Sequence, residues 1–360
     1  MLKPEQIARN ISWLVANGSP SVRYLTHRHL LKRTRRSKEL RQLWESVQAS
    51  DEVAEIFASQ ESDGSWCSAN PWARRPYYIP SAGYSPFTPK YVTTVWVLSV
   101  LGDMGFTVED PRIGKAKEYV LGFQWPSGQF SRFNVKGSPT GSHGDAKAEA
   151  TEDSFRKFGA LPPCELGIYL TALGKVGMGR DRRLRKSYDL LVRMQEEDGG
   201  WITPLHKEER GWWRSCPQSS HGGAMALYYS RCPRYRDALR RGLQFLVWHL
   251  SIKRPDEICQ PYYHGHNTVK ETLAFSELAV GLDESPVQAQ LKWLASMYRP
   301  SEAQFSFPGK RPTKSSHGRI RYQLHHVLED DWLTYYGTRI AVNLNSAQGA
   351  ASDDADKPHR

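Results

Sequence analysis

Three consecutive acids, Glu329, Asp330 and Asp331, follow two histidines, His325 and His326, in a chain that carries an excess of positive charge. Carboxyl groups crowded beside imidazoles are the residue types for moving protons. A second collection lies upstream. His221, His264, His266, Asn267 and Lys270 offer hydrogen-bond donors and a cation to a polar or anionic group. Cys164 and Cys216, with those histidines, add thiol and imidazole ligands of the kind that zinc takes. Helix capping competes with chemistry for some of these positions, because Ser219, Ser220, Asn267 and Asp330 are capping residue types.

Each group stands at or near the start of an apolar run with helical spacing: CELGIYLTALGKVG (164–177), SSHGGAMALYYS (219–230), HNTVKETLAFSELAVG (266–281) and DDWLTYYGTRIAVNL (331–345). SVRYLTHRHLLKR (21–33) and YVTTVWVLSVLGDMG (91–105) have the same character. Amphipathic helical runs alternate with them, and several end abruptly in a repeated pattern: QESDGSW at 60–66, QWPSGQF at 124–130 and QEEDGGW at 195–201. Weaker copies around 250 and 298 keep the apolar spacing without the Gln-Gly-Trp ending. Pairing each apolar run with an amphipathic one, and the N-terminal stretch 4–18 with the C-terminal run 331–345, gives about six helical hairpins. A ring of hairpins has no open end to protect with a polar cap. The expected fold class is therefore all-α, an α/α toroid with an inner and an outer ring of helices. It forms one domain over 1–345 with a disordered tail at 346–360, and long loops at 67–89, 131–163 and 202–218. The repeated Gln and Trp would pack the end of one outer helix against the next hairpin. In such a ring the inner-helix starts open on one face, which collects the chemistry-bearing residues.

Composition restricts the partners less than the motifs do. The 360 residues are 39% apolar and 11% aromatic, enough for a substantial core. Much of the net charge of +11 falls between Arg23 and Arg41, and that charge alone does not choose among nucleic acid, an anionic membrane surface and a phosphorylated substrate. No nucleic-acid-binding motif accompanies it. No window approaches the ~18 apolar residues of a spanning helix, and the N-terminus lacks the pattern of a signal peptide. The expected location is cytoplasmic, with peripheral membrane docking open to the basic segment. The five cysteines include no C-x-x-C pair, so neither a disulfide framework nor a zinc ribbon is indicated.

QESDGSW, QEEDGGW and QWPSGQF resemble the QW repeats of the squalene cyclase and prenyltransferase superfamily, whose members are terpenoid cyclase-like α/α toroids. The resemblance implies an isoprenoid or other lipid-like small molecule as partner. It covers most of 21–345 but departs from the superfamily's signatures, for D-x-D-D and D-D-x-x-D are both absent. The nearest acidic cluster is Leu328-Glu329-Asp330-Asp331. On this resemblance Glu329, Asp330 and Asp331, with His221 and His264, form the catalytic set. Lys270, His266 and Asn267 hold a diphosphate or polar head group, and aromatic residues such as Trp96, Tyr169, Phe275, Trp332, Tyr335 and Tyr336 line a cavity. Similarity to protein prenyltransferases implies an alternative, zinc-dependent prenyl transfer. There His221-Gly222-Gly223 stands for H-G-G, and Glu257, Cys259 and His325 hold zinc, although Glu replaces the usual Asp. Cys164, Cys216 and His221 form a competing zinc set. A third reading is a non-catalytic toroid that binds a lipid or a protein.

Overall fold

The computed structural model describes residues 2–66, 93–130, 161–203, 214–260, 262–263, 266–308 and 329–355, without the side chains of 262, 263, 266 and 348–355. The fold class is all-α, built from paired helices. The helices are α1 (Pro4–Asn17), α2 (Pro20–Leu25, continued by a π-turn Thr26–Leu30), α3 (Lys38–Gln48), α4 (Asp51–Ala58), α5 (Thr94–Asp103), α6 (Pro111–Leu121) and α7 (Pro163–Leu173). They continue as α8 (Arg185–Arg193), α9 (Pro217–Ser230), α10 (Arg236–Ser251), α11 (Pro255–Ile258), α12 (Thr268–Leu278), α13 (Ser285–Ser296) and α14 (Asp330–Ala355). Each buried helix (α2, α5, α7, α9, α12, α14) is separated from the next by one or two more exposed helices, and the hydrophobic periodicity marks the buried runs. The last helix runs past residue 345 to Ala355. By their contacts, the described residues up to Ser50 together with those from Leu246 onward form one compact unit, and those from Asp51 to Phe245 form the other.

In the second unit the repeated endings have a physical explanation. Gln60 pairs across a tight turn with Trp66, Gln124 with Phe130 and Gln195 with Trp201. At the corner of each turn a glycine holds left-handed backbone, with φ of 89° at Gly64, 91° at Gly128 and 86° at Gly199. Asp63 and Asp198 accept the N–H two residues on, at 2.9 and 3.0 Å. Each glutamine amide then reaches the next amphipathic helix. Gln60 Nε2 donates to Gly64 O and Arg112 O, both at 3.0 Å, and Gln195 Nε2 donates to Gly199 O and Ala238 O at 2.7 and 2.8 Å. Each tryptophan ring N–H returns to its own helix: Trp66 to Ile56 O at 2.8 Å, Trp201 to Leu191 O at 2.7 Å. The motif thus ends one helix and docks the next hairpin in a single turn.

The copy at 298 keeps the turn without the motif. Strands β3 (Tyr298–Arg299) and β4 (Gln304–Phe305) pair antiparallel, and Ala303 takes the left-handed corner at φ 54°. A further two-residue pair, β1 (Tyr262–Tyr263) with β2 (His266–Asn267), precedes α12.

Small residues set the spacing of the buried helices. A Cβ placed on Gly167 of α7 would lie 2.4 Å from the Gly222 backbone of α9, and one on Gly174 would lie 2.9 Å from Tyr229 O. These contacts advance together along both helices, so α7 and α9 are parallel and touch backbone to backbone. Across α5 and the π-turn after α7, Lys175 Nζ is 2.9 Å from Asp103 and 3.0 Å from Ser99 Oγ, with both ionic side chains only 6% exposed. In the other unit α12 and α14 are also parallel: Lys270 faces Tyr336, and the Asn343 amide donates to Ser276 Oγ at 3.1 Å. Helix α1 runs antiparallel to α14. The Asn10 amide lies 3.2 Å from Thr338 Oγ1, and Asn345 Nδ2 donates to Leu2 O at 3.3 Å. The chain's two terminal helices thus pair with each other within this unit.

Candidate functional site

The most polar buried stretch in the unit formed by the chain's two ends is the first turn of α12. Asn267 Oδ1 accepts the Lys270 N–H at 3.0 Å, an N-cap that starts the helix. Beyond the cap the side chains turn inward. Thr268 and Glu271 are 1% exposed, Thr272 is 2% and Lys270 is 8%. Charged residues are rarely buried so fully without a chemical or structural use. Thr272 Oγ1 donates to Thr268 O at 2.7 Å, and it lies 3.4 Å from Oε1 of the equally buried Gln290 on α13. The Thr268 hydroxyl has no hydrogen-bond partner among the described residues.

An aromatic cluster stands beside this turn. Lys270 Nζ is 5.9 Å from the Tyr336 ring centroid, within the range of a cation–π contact. Tyr336 stacks on Trp332 at 6.0 Å, Trp332 meets Tyr335 edge-on at 6.2 Å, and Tyr335 lies 5.2 Å from Tyr336. The Tyr335 hydroxyl shares a hydrogen bond of 2.5 Å with His29 Nδ1 and accepts from Arg339 at 3.3 Å; Arg339 in turn lies 3.5 Å from Glu277. The cluster therefore combines π faces, a buried cation and a tyrosine hydroxyl held by His29 and Arg339.

The acidic run is placed differently. Asp331 Oδ2 accepts the Ser19 backbone N–H at 2.8 Å, and its Oδ1 accepts the Trp332 N–H at 2.7 Å. Glu329 is exposed, and its carbonyl accepts the Leu333 N–H at 2.8 Å in the first turn of α14. Asp330 begins that helix, half-buried. Several hydroxyls at buried-helix starts hold the repeated turns: Thr94 accepts the Trp66 N–H, Ser220 the Trp201 N–H and Thr334 the Phe305 N–H, at 3.0, 2.9 and 2.8 Å.

The cysteines and histidines are partly assembled. Cys164 and Cys216 are neighbours at the starts of α7 and α9; burial raises the Cys164 thiol pKa, the nearby Glu165 adds to that, and a Ser219 hydrogen bond opposes it. His221 follows on α9, half-buried. Burial also raises the Cys259 pKa. Glu257 accepts the Arg254 N–H at 2.9 Å, a local cap of α11. Among the described residues no group of three His, Cys, Asp or Glu side chains is arranged to hold a metal ion. His264 and His325 lie outside the described residues, as does the side chain of His266, whose backbone pairs with Tyr263.

Lys270, Asn267, Trp332, Tyr335 and Tyr336 were legible as candidates. Glu271, Thr268, His29 and Arg339 were not. Glu271 had a visible signal, a carboxylate inside an otherwise apolar run, whereas His29 was hidden within a basic stretch.

Among the described residues no helix is long and apolar enough to cross a membrane. No protein-family model and no curated protein sequence matches the chain. Among solved structures, it is similar to a variant of the type II terpene cyclase MstE from Scytonema with geranylgeranyl dihydroxybenzoate bound, at 14% identity and a TM-score of 0.43 over 94% of this chain and 96% of that one. Another MstE variant, with the product merosterolic acid A, gives 15% identity and a TM-score of 0.40 over 94% and 97%. A protein from Actinoplanes gives 14% and 0.39 over 96% and 99%.

Proposed function

We propose that this chain acts on an isoprenoid substrate by terpene cyclase-like chemistry, with the polar head of the substrate at the first turn of α12 and its hydrocarbon against Trp332, Tyr335 and Tyr336. The observation that carries this reading is the Lys270 ammonium, 8% exposed and 5.9 Å from the Tyr336 ring, at the start of a buried helix. A helix start presents N–H groups and a positive dipole end to an electronegative group. Aromatic faces stabilise positive charge developing on a hydrocarbon, which water would quench. The two environments adjoin in this cluster, matching a molecule that is polar at one end and apolar along the rest.

The test is incubation of the purified protein with isoprenoid alcohols, isoprenoid diphosphates and squalene-like hydrocarbons, with products followed by mass spectrometry. Turnover of one class, lost in Lys270→Met while the protein stays folded, supports the reading. Absence of both turnover and binding across all three classes removes it.

A second reading, a lipid-binding module without turnover, is favoured by a different observation. Asp331, Thr94, Ser220 and Thr334 all spend their oxygens on backbone N–H groups. Saturable binding without any product would select it.

A further inference from the structure

We infer that the connection between the π-turn Thr26–Leu30 and α3 docks on an anionic lipid bilayer, with Leu31 entering the surface and the surrounding cations on lipid phosphates. This goes beyond the isoprenoid reading and does not depend on it. From Arg23 to Arg41 the chain carries eight Lys and Arg against Glu39 alone, so this short segment holds +7 of the net +11. Residues 31–36 are all exposed, as are Arg23, Lys38 and Arg41. Local stability does not account for these charges. Lys32 holds left-handed backbone at φ 55°, the helix-ending position that suits glycine, with the Arg33 N–H on His27 O at 2.9 Å. Lys38 and Arg41 stand at the start of α3, where the positive end of the helix dipole disfavours them. A strained lysine and two opposed cations weaken the fold, and an anionic partner turns their mutual repulsion into attraction.

Leu31 selects the class of partner. It is 38% exposed, one of two large apolar side chains exposed among the described residues, and it directly precedes the left-handed corner. A bilayer surface takes up an aliphatic side chain flanked by cations, and each cation gains attraction from anionic headgroups. A nucleic acid offers phosphates without the apolar layer, and between 31 and 41 no aromatic side chain is present to stack on a base. The connection is also preshaped. The Ser37 N–H donates to Thr34 O at 3.0 Å, and Ser37 Oγ caps α3 by accepting the Leu40 N–H at 3.2 Å. Binding therefore has little backbone left to order.

The experiment is flotation of the full chain with vesicles of phosphatidylcholine alone and of phosphatidylcholine with about 30% phosphatidylglycerol, at about 0.1 M salt. Binding is expected to the anionic vesicles and not to the neutral ones, with release at about 0.5 M salt. Arg36→Gln combined with Arg41→Gln should weaken it at least about tenfold. Leu31→Ser should weaken it about threefold and leave binding to a DNA duplex unchanged. Lys32→Gly separates docking from scaffold: glycine suits the left-handed corner, so the urea midpoint should hold or rise while vesicle affinity falls about fivefold. No binding of wild type to the anionic vesicles overturns the inference, as does equal binding to the neutral ones. Unchanged vesicle affinity in the folded variants overturns it too, and so does a DNA duplex held more tightly than the anionic vesicles.

Discussion

The Asp331 carboxylate and the Ser19 backbone N–H meet at 2.8 Å across a sequence separation of 312 residues. Ser19 precedes Pro20, where α2 begins, so this bond ties the start of one buried helix to the start of another. Asp331→Ala should cost about 1–2 kcal/mol, read as a lower urea midpoint, because the Ser19 donor loses its charged partner. Asp331→Asn keeps an acceptor oxygen and should lose less. A fall in turnover in Asp331→Asn at an unchanged midpoint would instead assign the carboxylate to acid–base chemistry.

Helix α1 contributes the fully buried Leu14 and the Asn10 amide, which lies between Thr338 Oγ1 at 3.2 Å and Tyr298 Oη at 3.1 Å. Deleting residues 1–18 removes both and uncovers one side of α14. A single cooperative melting transition at a lower temperature is expected. An unchanged melting temperature would show that the terminal pairing contributes nothing to stability.

Lys175 and Asp103 form an ion pair of 2.9 Å with each side chain 6% exposed. Lys175→Ala leaves Asp103 buried without its cation and should destabilise by about 3–5 kcal/mol. Lys175→Met combined with Asp103→Leu removes both charges and should recover most of that loss. A double variant no more stable than the single one would mean that packing around the Lys175 stem, not charge, dominates.

Gly199 holds φ 86°, and a Cβ there would lie 2.7 Å from Arg241 O. Gly199→Ala should therefore cost about 1–3 kcal/mol. Gly114 is the control: it lies within α6, and the nearest atom to its added Cβ is Val108 O at 3.9 Å. Gly114→Ala should stabilise by about 0.5–1 kcal/mol. Chemical denaturation of the pair checks both signs.

Burial lowers the His27 pKa below its ordinary value; Glu39, 3.4 Å away, opposes the shift, and Arg33 and Arg23 add to it. The folded state thus favours neutral imidazole. That preference contributes fully above the unfolded pKa of about 6.5 and is lost as pH falls through the lower folded value. Stability measured from pH 7.5 downward should decline below about 6.5, and His27→Gln should flatten that part of the curve. An identical pH profile in the variant would place the acid sensitivity elsewhere.

The sequence by itself determined where helices run and where several of them stop. Apolar spacing marks the buried runs, and the Gln, Asp, Gly and Trp of each repeated ending act within a few residues of one another, through a left-handed corner and short hydrogen bonds. Such interactions are written locally, so they can be read locally. The turn at Tyr298–Phe305 marks the limit: Ala303 occupies the glycine's place, and the backbone pairing with the Thr334 anchor preserves the shape after the signature is gone. Only the tertiary structure decided which polar residues serve the scaffold and which are left facing the interior. Asp331 reads as an acid in the sequence, and the fold sets its carboxylate against the Ser19 N–H, while Thr268 and Glu271 stand out only because the whole first turn of α12 is buried. The physical reason is that a polar group's role depends on what excludes water from it. Here that is settled by helices far apart in the chain, as when His29 meets Tyr335 across 306 residues.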